Sequence, residues 1–281
     1  MVNPLILQYH KVTSRFEIGG TRVTPKQFEK HIITVKKLGY KNLDVNKLLE
    51  PSKSFHQKSV LFTFDDGFEC VYTQAFPLLK KHGYSGAVFI VTGFIGREND
   101  WDASFGLRFR HLSEEQILEL DRSGWLIGSH SHTHPDLRKL TDRELEAELR
   151  VSKERLEDIV NHEVTAFAYP FGLHDKRVEK FLASVGYSIA FTSRKTYTMR
   201  LKNPFSVERQ GVYLIDWDLR TKLDNAFPVG LFEFAKQRII NMFASLSSIA
   251  RHDFRLMAKL AGMSFRTSKI VKSSDDKNLE I

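Results

Sequence analysis

Four times along this chain a helix-like segment ends in glycine plus an aromatic residue and runs straight into apolar, strand-like sequence. The junctions are Gly39-Tyr40, Gly83-Tyr84, Gly124-Trp125 and Gly186-Tyr187. Glycine just past a helix end adopts the left-handed conformation that closes the last turn, so each junction reads as helix, stop, strand. Helix starts are equally legible. Thr24-Pro25-Lys26-Gln27 offers a cap, a proline at the first helical position and a capping-box glutamine, and Ser113 with Gln116 and Thr141 with Glu144 repeat the box. Leu145, Leu149, Leu156 and Ile159 form an apolar stripe expected to pack into a core. Strands are expected over residues 5–9, 60–64, 86–91, 125–128, 165–169, 188–192 and 206–212. Strands alternating with helices imply right-handed crossovers and a mainly parallel sheet. About seven such units suffice to close, or nearly close, an α/β barrel.

The polar residues choose between barrel and open sheet. Tyr9-His10, Asp65-Asp66, the run from His130 to His134, and Pro170-Phe171-Gly172 each fall just past the C-terminal end of an expected strand. Barrel active sites assemble at that end, on one face. An open sheet would concentrate its ligand at one switch point, usually with a glycine-rich phosphate loop, and the sequence contains none. Thr63-Phe64-Asp65-Asp66-Gly67 follows directly on the apolar run Val60-Leu61-Phe62. Two adjacent carboxylates leaving a buried strand repel each other, a cost tolerated when a metal takes one and chemistry uses the other. His130 and His134 stand four apart, so one helical turn or a compact loop can aim both imidazoles at one point. With Asp66 they form a two-histidine, one-aspartate set that suits Zn²⁺ and leaves a position open for water. Cobalt and nickel accept the same set. His132, by alternation, points away from its neighbours.

Composition narrows the rest. The chain has 281 residues, 42% apolar and 27% charged, enough for one large domain or two small ones. Its net charge of +8 is not gathered with stacking aromatics along one element, which argues against nucleic-acid binding. The single Cys70 excludes an internal disulfide and reads as a small packing residue. The opening Met1-Val2-Asn3-Pro4 carries no basic leader, and no run approaches the roughly 20 apolar residues that cross a bilayer. A cytoplasmic location is expected, although a chain stripped of its leader would read the same.

Thr63-Phe64-Asp65-Asp66-Gly67, then His130-Ser131 with His134, then Pro170-Phe171-Gly172, resembles the polysaccharide deacetylases of carbohydrate esterase family 4. The resemblance covers roughly residues 5 to 215, and the first two motifs together are highly specific. The opening Gln8-Tyr9-His10-Lys11-Val12 is similar to the start of the subgroup that includes poly-N-acetylglucosamine deacetylases. The resemblance implies a distorted (β/α) barrel and the metal-dependent removal of acetyl groups from N-acetylated sugars. It implies Asp66, His130 and His134 as metal ligands, Asp65 as general base, His10 as general acid and the Phe171 backbone N–H as oxyanion donor. The family's third motif usually carries an arginine that orients the base, and Ala168 stands in its place. Arg209, in the last expected strand, is either its substitute or a surface arginine. Asp216-Trp217 matches the end of the family's fourth motif, but Tyr213 stands where the first aspartate belongs, so the match is read as accidental.

Two regions bear on substrate and location. Asn99-Asp100-Trp101-Asp102, with Phe105, Phe109 and the glycines Gly93 and Gly96, reads as a lid whose Trp101 either stacks on a sugar or pins the loop. Residues 16–22 would shape the same rim. From 231 onward Phe232, Ala235, Ile239, Met242, Leu246 and Ile249 recur at steps of three and four. Leu256, Leu260 and Met263 suggest a second helix. Residues 231–281 hold nine Lys or Arg against five Asp or Glu, half of the chain's net charge. A barrel over residues 1–230 and a helical extension over 231–281 are expected, the extension packing on the barrel or contacting a membrane surface. The expected activity is N-deacetylation of an N-acetylhexosamine glycan or a lipid-linked precursor. Hydrolysis of another non-peptide C–N bond, or non-catalytic glycan binding, are the alternatives.

Overall fold

Alternate side chains along each strand face two different apolar environments, as a sheet covered on both sides requires. A computed structural model describes residues 3–15, 21–48, 57–98, 108–193, 203–216 and 218–220. Six strands form its centre: β1 (Leu5–Tyr9), β2 (Ser59–Phe64), β3 (Gly86–Ile90), β4 (Leu126–Ser129), β5 (Ala166–Ala168) and β6 (Ile189–Thr192). Each pairs in parallel with its neighbour in chain order. One helix fills each crossover: α1 (Pro25–Lys37), α2 (Phe76–His82), α3 (Glu114–Arg122), α4 (Asp142–Val160) and α5 (Lys176–Val185).

The ring closes through a split strand. The stretch expected as one strand over 206–212 is two short ones, β7 (Val207–Glu208) and β8 (Gln210–Gly211), broken at Arg209. β7 pairs with β6 and β8 pairs with β1, both in parallel. A single residue therefore hands the chain across the seam, giving a distorted (β/α) barrel of seven strand positions. Arg209, two residues beyond the inward-facing Val207, points into the barrel as strand alternation requires.

Two cores result. Leu7, Tyr9, Val60, Phe62, Phe64 and Val88 face outward and pack with Phe28, Leu79, Leu149 and Leu182 from the helices. Ile6, Leu61, Ala87, Phe89, Ala166, Phe191 and Val207 fill the barrel. The interior is narrow: a Cβ on Gly128 would stand 2.6 Å from the Phe89 ring. Local signals set the element ends. Gly39, Gly83, Gly124 and Gly186 all have positive φ, and the capping boxes at Ser113 and Thr141 are both closed. The third box is not. Thr24 caps α1 by accepting from the Gln27 N–H, but the Gln27 side chain donates instead to the Leu214 and Asp216 carbonyls, 3.0 Å each. In α4, Leu145, Leu149 and Leu156 are buried as expected, while Ile159 is half-buried and Val160 takes the core position.

Among the described residues no helix is long and apolar enough to cross a membrane. Trp101, Phe105, Trp217, most of 16–22 and the whole of 231–281 lie outside the described residues.

Candidate active site and metal centre

At the C-terminal ends of the strands, alternation through Leu61 and Thr63 aims Asp65 into the barrel. Asp66 and Gly67 then take left-handed conformations, φ 71° and 72°, which swing the second carboxylate out of strand register. His111 donates from Nδ1 to the Asp66 carbonyl at 2.9 Å and braces that turn. Past β4, the residues from His130 to His134 form a compact loop, not a helical turn, with Ser131 and His134 left-handed. His130 donates from Nδ1 to the Ala168 carbonyl at 2.8 Å, which fixes the tautomer and leaves Nε2 with its lone pair. Burial pushes His130 below the ordinary imidazole range, with Asp65 and the Ala168 bond opposing. The ring is therefore in its neutral, ligating form.

The His130 and His134 Nε2 atoms each lie 3.5 Å from Asp66 Oδ1. All three side chains are buried, and their ligand atoms lie within 4.8 Å of one another. Donors about 2.1 Å from a tetrahedral ion stand about 3.4 Å apart, so the spacing fits zinc. The chemistry fits as well, because an imidazole lone pair facing a carboxylate oxygen repels it until a cation lies between them.

Beside this group Asp65 is gripped from one side. Arg209 donates from Nη1 to Oδ1 at 2.6 Å and from Nη2 to Oδ2 at 2.8 Å, and both side chains are buried. The guanidinium also donates to Thr63 Oγ1 at 3.2 Å and sits 5.3 Å from the Phe89 ring centre. Gln8 Nε2 donates to Asp65 Oδ2 at 2.6 Å and to Ser193 Oγ at 2.8 Å. Burial pushes the Asp65 carboxyl up, but the Arg209 charge and hydrogen bonds outweigh it and hold it down to about 2. Arg209 reaches Asp65 from the seam where the ring closes, 144 residues away in sequence.

His10 follows β1, within electrostatic reach of Asp65, His130 and Arg209. Its Nδ1 is shielded from solvent and has no hydrogen-bond partner among the described residues. Burial pushes its imidazole down to about 4, with Asp65 opposing and the nearby cations adding. Phe171 adopts φ 59°, and its ring meets His134 edge-on at 4.6 Å. The turn's own bonds run from Gly172 N to Tyr169 O and from Leu173 N to Pro170 O, so the Phe171 N–H stands outside that ladder. His132 turns away from the metal group and shares a hydrogen bond with Thr92 Oγ1 at 2.9 Å.

Sequence reasoning missed Gln8, Thr63, Ser193 and His111. Gln8 left a signal, a polar side chain at an inward position of a buried strand. His111 left none, since its role depends on an antiparallel bridge to Phe68.

The sequence profile of the family described as polysaccharide deacetylase matches residues 52–190, a span that includes Asp65, Asp66, His130, His134 and Phe171 but neither His10 nor Arg209. YxkH of Bacillus subtilis, which carries a provisional polysaccharide deacetylase name, is 30% identical over 207 residues, covering 73% of this chain and 69% of that one. The poly-beta-1,6-N-acetyl-D-glucosamine N-deacetylase of Staphylococcus aureus is 25% identical over 229 residues, covering 73% and 77%. Among solved structures, IcaB from Ammonifex degensii superimposes with a TM-score of 0.66 at 25% identity, covering 76% of this chain and 93% of that one.

Proposed function

The chain belongs to the polysaccharide deacetylase family, and from that premise we propose that it removes N-acetyl groups from N-acetylhexosamine units of a glycan, using a divalent metal. The observation that carries this reading is a buried carboxylate, Asp65, clamped in its ionised form beside a three-ligand group. A protein that only bound glycans would have no use for that arrangement.

Asp66, His130 and His134 would hold the metal, with zinc the best fit to the donors and cobalt or nickel acceptable. When bound, it would supply a Lewis acid for the acetyl carbonyl and for the attacking water, whose proton Asp65 takes. Asp65 Oδ2 already accepts from both Arg209 and Gln8, whereas Oδ1 accepts from Arg209 alone. Oδ1 therefore takes the proton. His10, at the end of the adjacent strand and within electrostatic reach of Asp65, is the group placed to receive it next. His10 enters the cycle neutral, gains that proton and delivers it to the leaving nitrogen as the C–N bond breaks. The Phe171 N–H supplies a donor to the developing oxyanion.

The name of the S. aureus relative suggests β-1,6-linked N-acetylglucosamine as the substrate class. The basic, amphipathic sequence of 231–281 would bring the enzyme to a membrane surface, where a lipid-linked precursor is the substrate in reach. The test is acetate release by the metal-reconstituted protein from β-1,6- and β-1,4-linked N-acetylglucosamine oligomers. Release from the β-1,6 series is expected. No release from either, despite stoichiometric metal, overturns the reading.

A further inference from the structure

The loop from His130 to His134 carries two of the three proposed metal ligands, and two of its residues are held in a conformation that side-chain-bearing residues avoid. Ser131 has φ 67° and His134 has φ 61°. Each such residue costs about 1–2 kcal/mol, so partners elsewhere must hold the loop. Every backbone N–H along it has one. His130 N donates to the Ile90 carbonyl at 2.9 Å, Ser131 N to Ser129 Oγ at 3.2 Å, and His134 N to Ser131 Oγ at 2.9 Å. The two remaining N–H groups, of His132 and Thr133, converge on one atom, Glu148 Oε2, at 2.9 and 2.8 Å. The Thr133 hydroxyl donates to the other oxygen, Oε1, at 2.6 Å. Successive N–H groups after a left-handed residue form a concave anion site, and here a carboxylate of the same chain fills it.

Glu148 is well mounted for that task. It lies on α4 between Leu145 and Leu149, on the helix face that packs against the barrel. The helix is fixed at its start by the Thr141–Glu144 capping box and one turn beyond Glu148 by the Ser129–Ser152 hydrogen bond at 2.8 Å. The carboxylate therefore couples a rigid helix to the stretch of backbone between the two imidazoles.

We propose that Glu148 is a positioning residue for the metal centre, holding the His130 and His134 rings at ligating spacing. This rests on the metal reading above. Its removal leaves two adjacent N–H groups to water and frees the loop to relax its left-handed residues, which separates the Nε2 atoms.

The experiment is Co²⁺ and Zn²⁺ affinity by competition with a chromophoric chelator, with the metal-free melting temperature alongside. The proteins are wild type, Glu148→Ala, Glu148→Gln and Glu144→Ala. Glu144→Ala removes the side-chain half of the capping box without touching the loop, so it reports what loss of helix stability alone does. Glu148→Ala is expected to weaken metal binding about tenfold or more, the usual effect of losing a group that orients ligands, and to alter the visible Co²⁺ spectrum. Glu148→Gln, whose amide oxygen still accepts from both N–H groups, should fall between it and wild type, and Glu144→Ala should bind as wild type. Glu148→Ala affinity within about twofold of wild type, or an equal loss in Glu144→Ala, overturns the proposal. A wild type that binds neither ion fails the metal reading itself, a different result from either.

Discussion

At the scale of single residues, the site turns on how a buried carboxylate is kept charged. Burial alone would raise the Asp65 carboxyl, and the bidentate Arg209 contact reverses that to about 2. A depressed folded-state pKa contributes stability that is present above the ordinary carboxylate range and lost as pH falls toward 2. Arg209→Met removes the largest influence opposing burial, so the carboxyl rises. Urea denaturation of the metal-free proteins should show the variant weaker by about 3–5 kcal/mol near neutrality, with the gap closing as pH drops toward 3. A pH-independent gap would contradict the account. Gln8, the second donor to Asp65, is a milder case: Gln8→Leu should lower kcat with little change in KM, because it leaves substrate contacts alone and moves the base. Asp65-Asp66 and the histidine pair were legible because each is contiguous in sequence and sits at a strand end. Arg209 was only one of two readings, since its partner lies 144 residues away and closure of the ring alone brings them together.

At the scale of elements, what is local was legible and what is tertiary was not. Helix stops at Gly39, Gly83, Gly124 and Gly186 and the boxes at Ser113 and Thr141 follow from chemistry within a few residues. The box at Thr24 fails because the 213–216 turn, far off in sequence, offers Gln27 two carbonyls. The split of β7 from β8 had no sequence signature, because the stretch reads as one continuous strand. Gly172 has φ 67°, and a Cβ there would lie 2.7 Å from Ser193 Cβ and 2.8 Å from its backbone nitrogen. Gly172→Ala should cost about 1–3 kcal/mol of stability. By shifting the Phe171 N–H and the Ser193 hydroxyl that Gln8 holds, it should also lower kcat more than it raises KM. Unchanged kcat in a destabilised protein would remove Phe171 from the mechanism.

At the scale of the whole molecule, the barrel gathers groups from β1, β2, β4, β5 and the β7–β8 seam at one end of the ring, so metal binding couples distant parts of the chain. Binding to the folded state alone should stabilise the whole barrel, by about 2.7 kcal/mol at a metal concentration 100 times Kd. A melting temperature that rises with zinc in the wild type and not in Asp66→Ala is the expected result. An equal rise in both would place the metal elsewhere. The central claim is that Asp65 does chemistry beside a metal it does not hold. The most direct measurement is acetate release from β-1,6-linked N-acetylglucosamine oligomers by Asp65→Asn, with metal content determined on the same preparation. Stoichiometric metal with acetate release reduced at least about a hundredfold from wild type is predicted, in line with the loss of a general base. Release near the wild-type rate by a fully metal-loaded Asp65→Asn would contradict it.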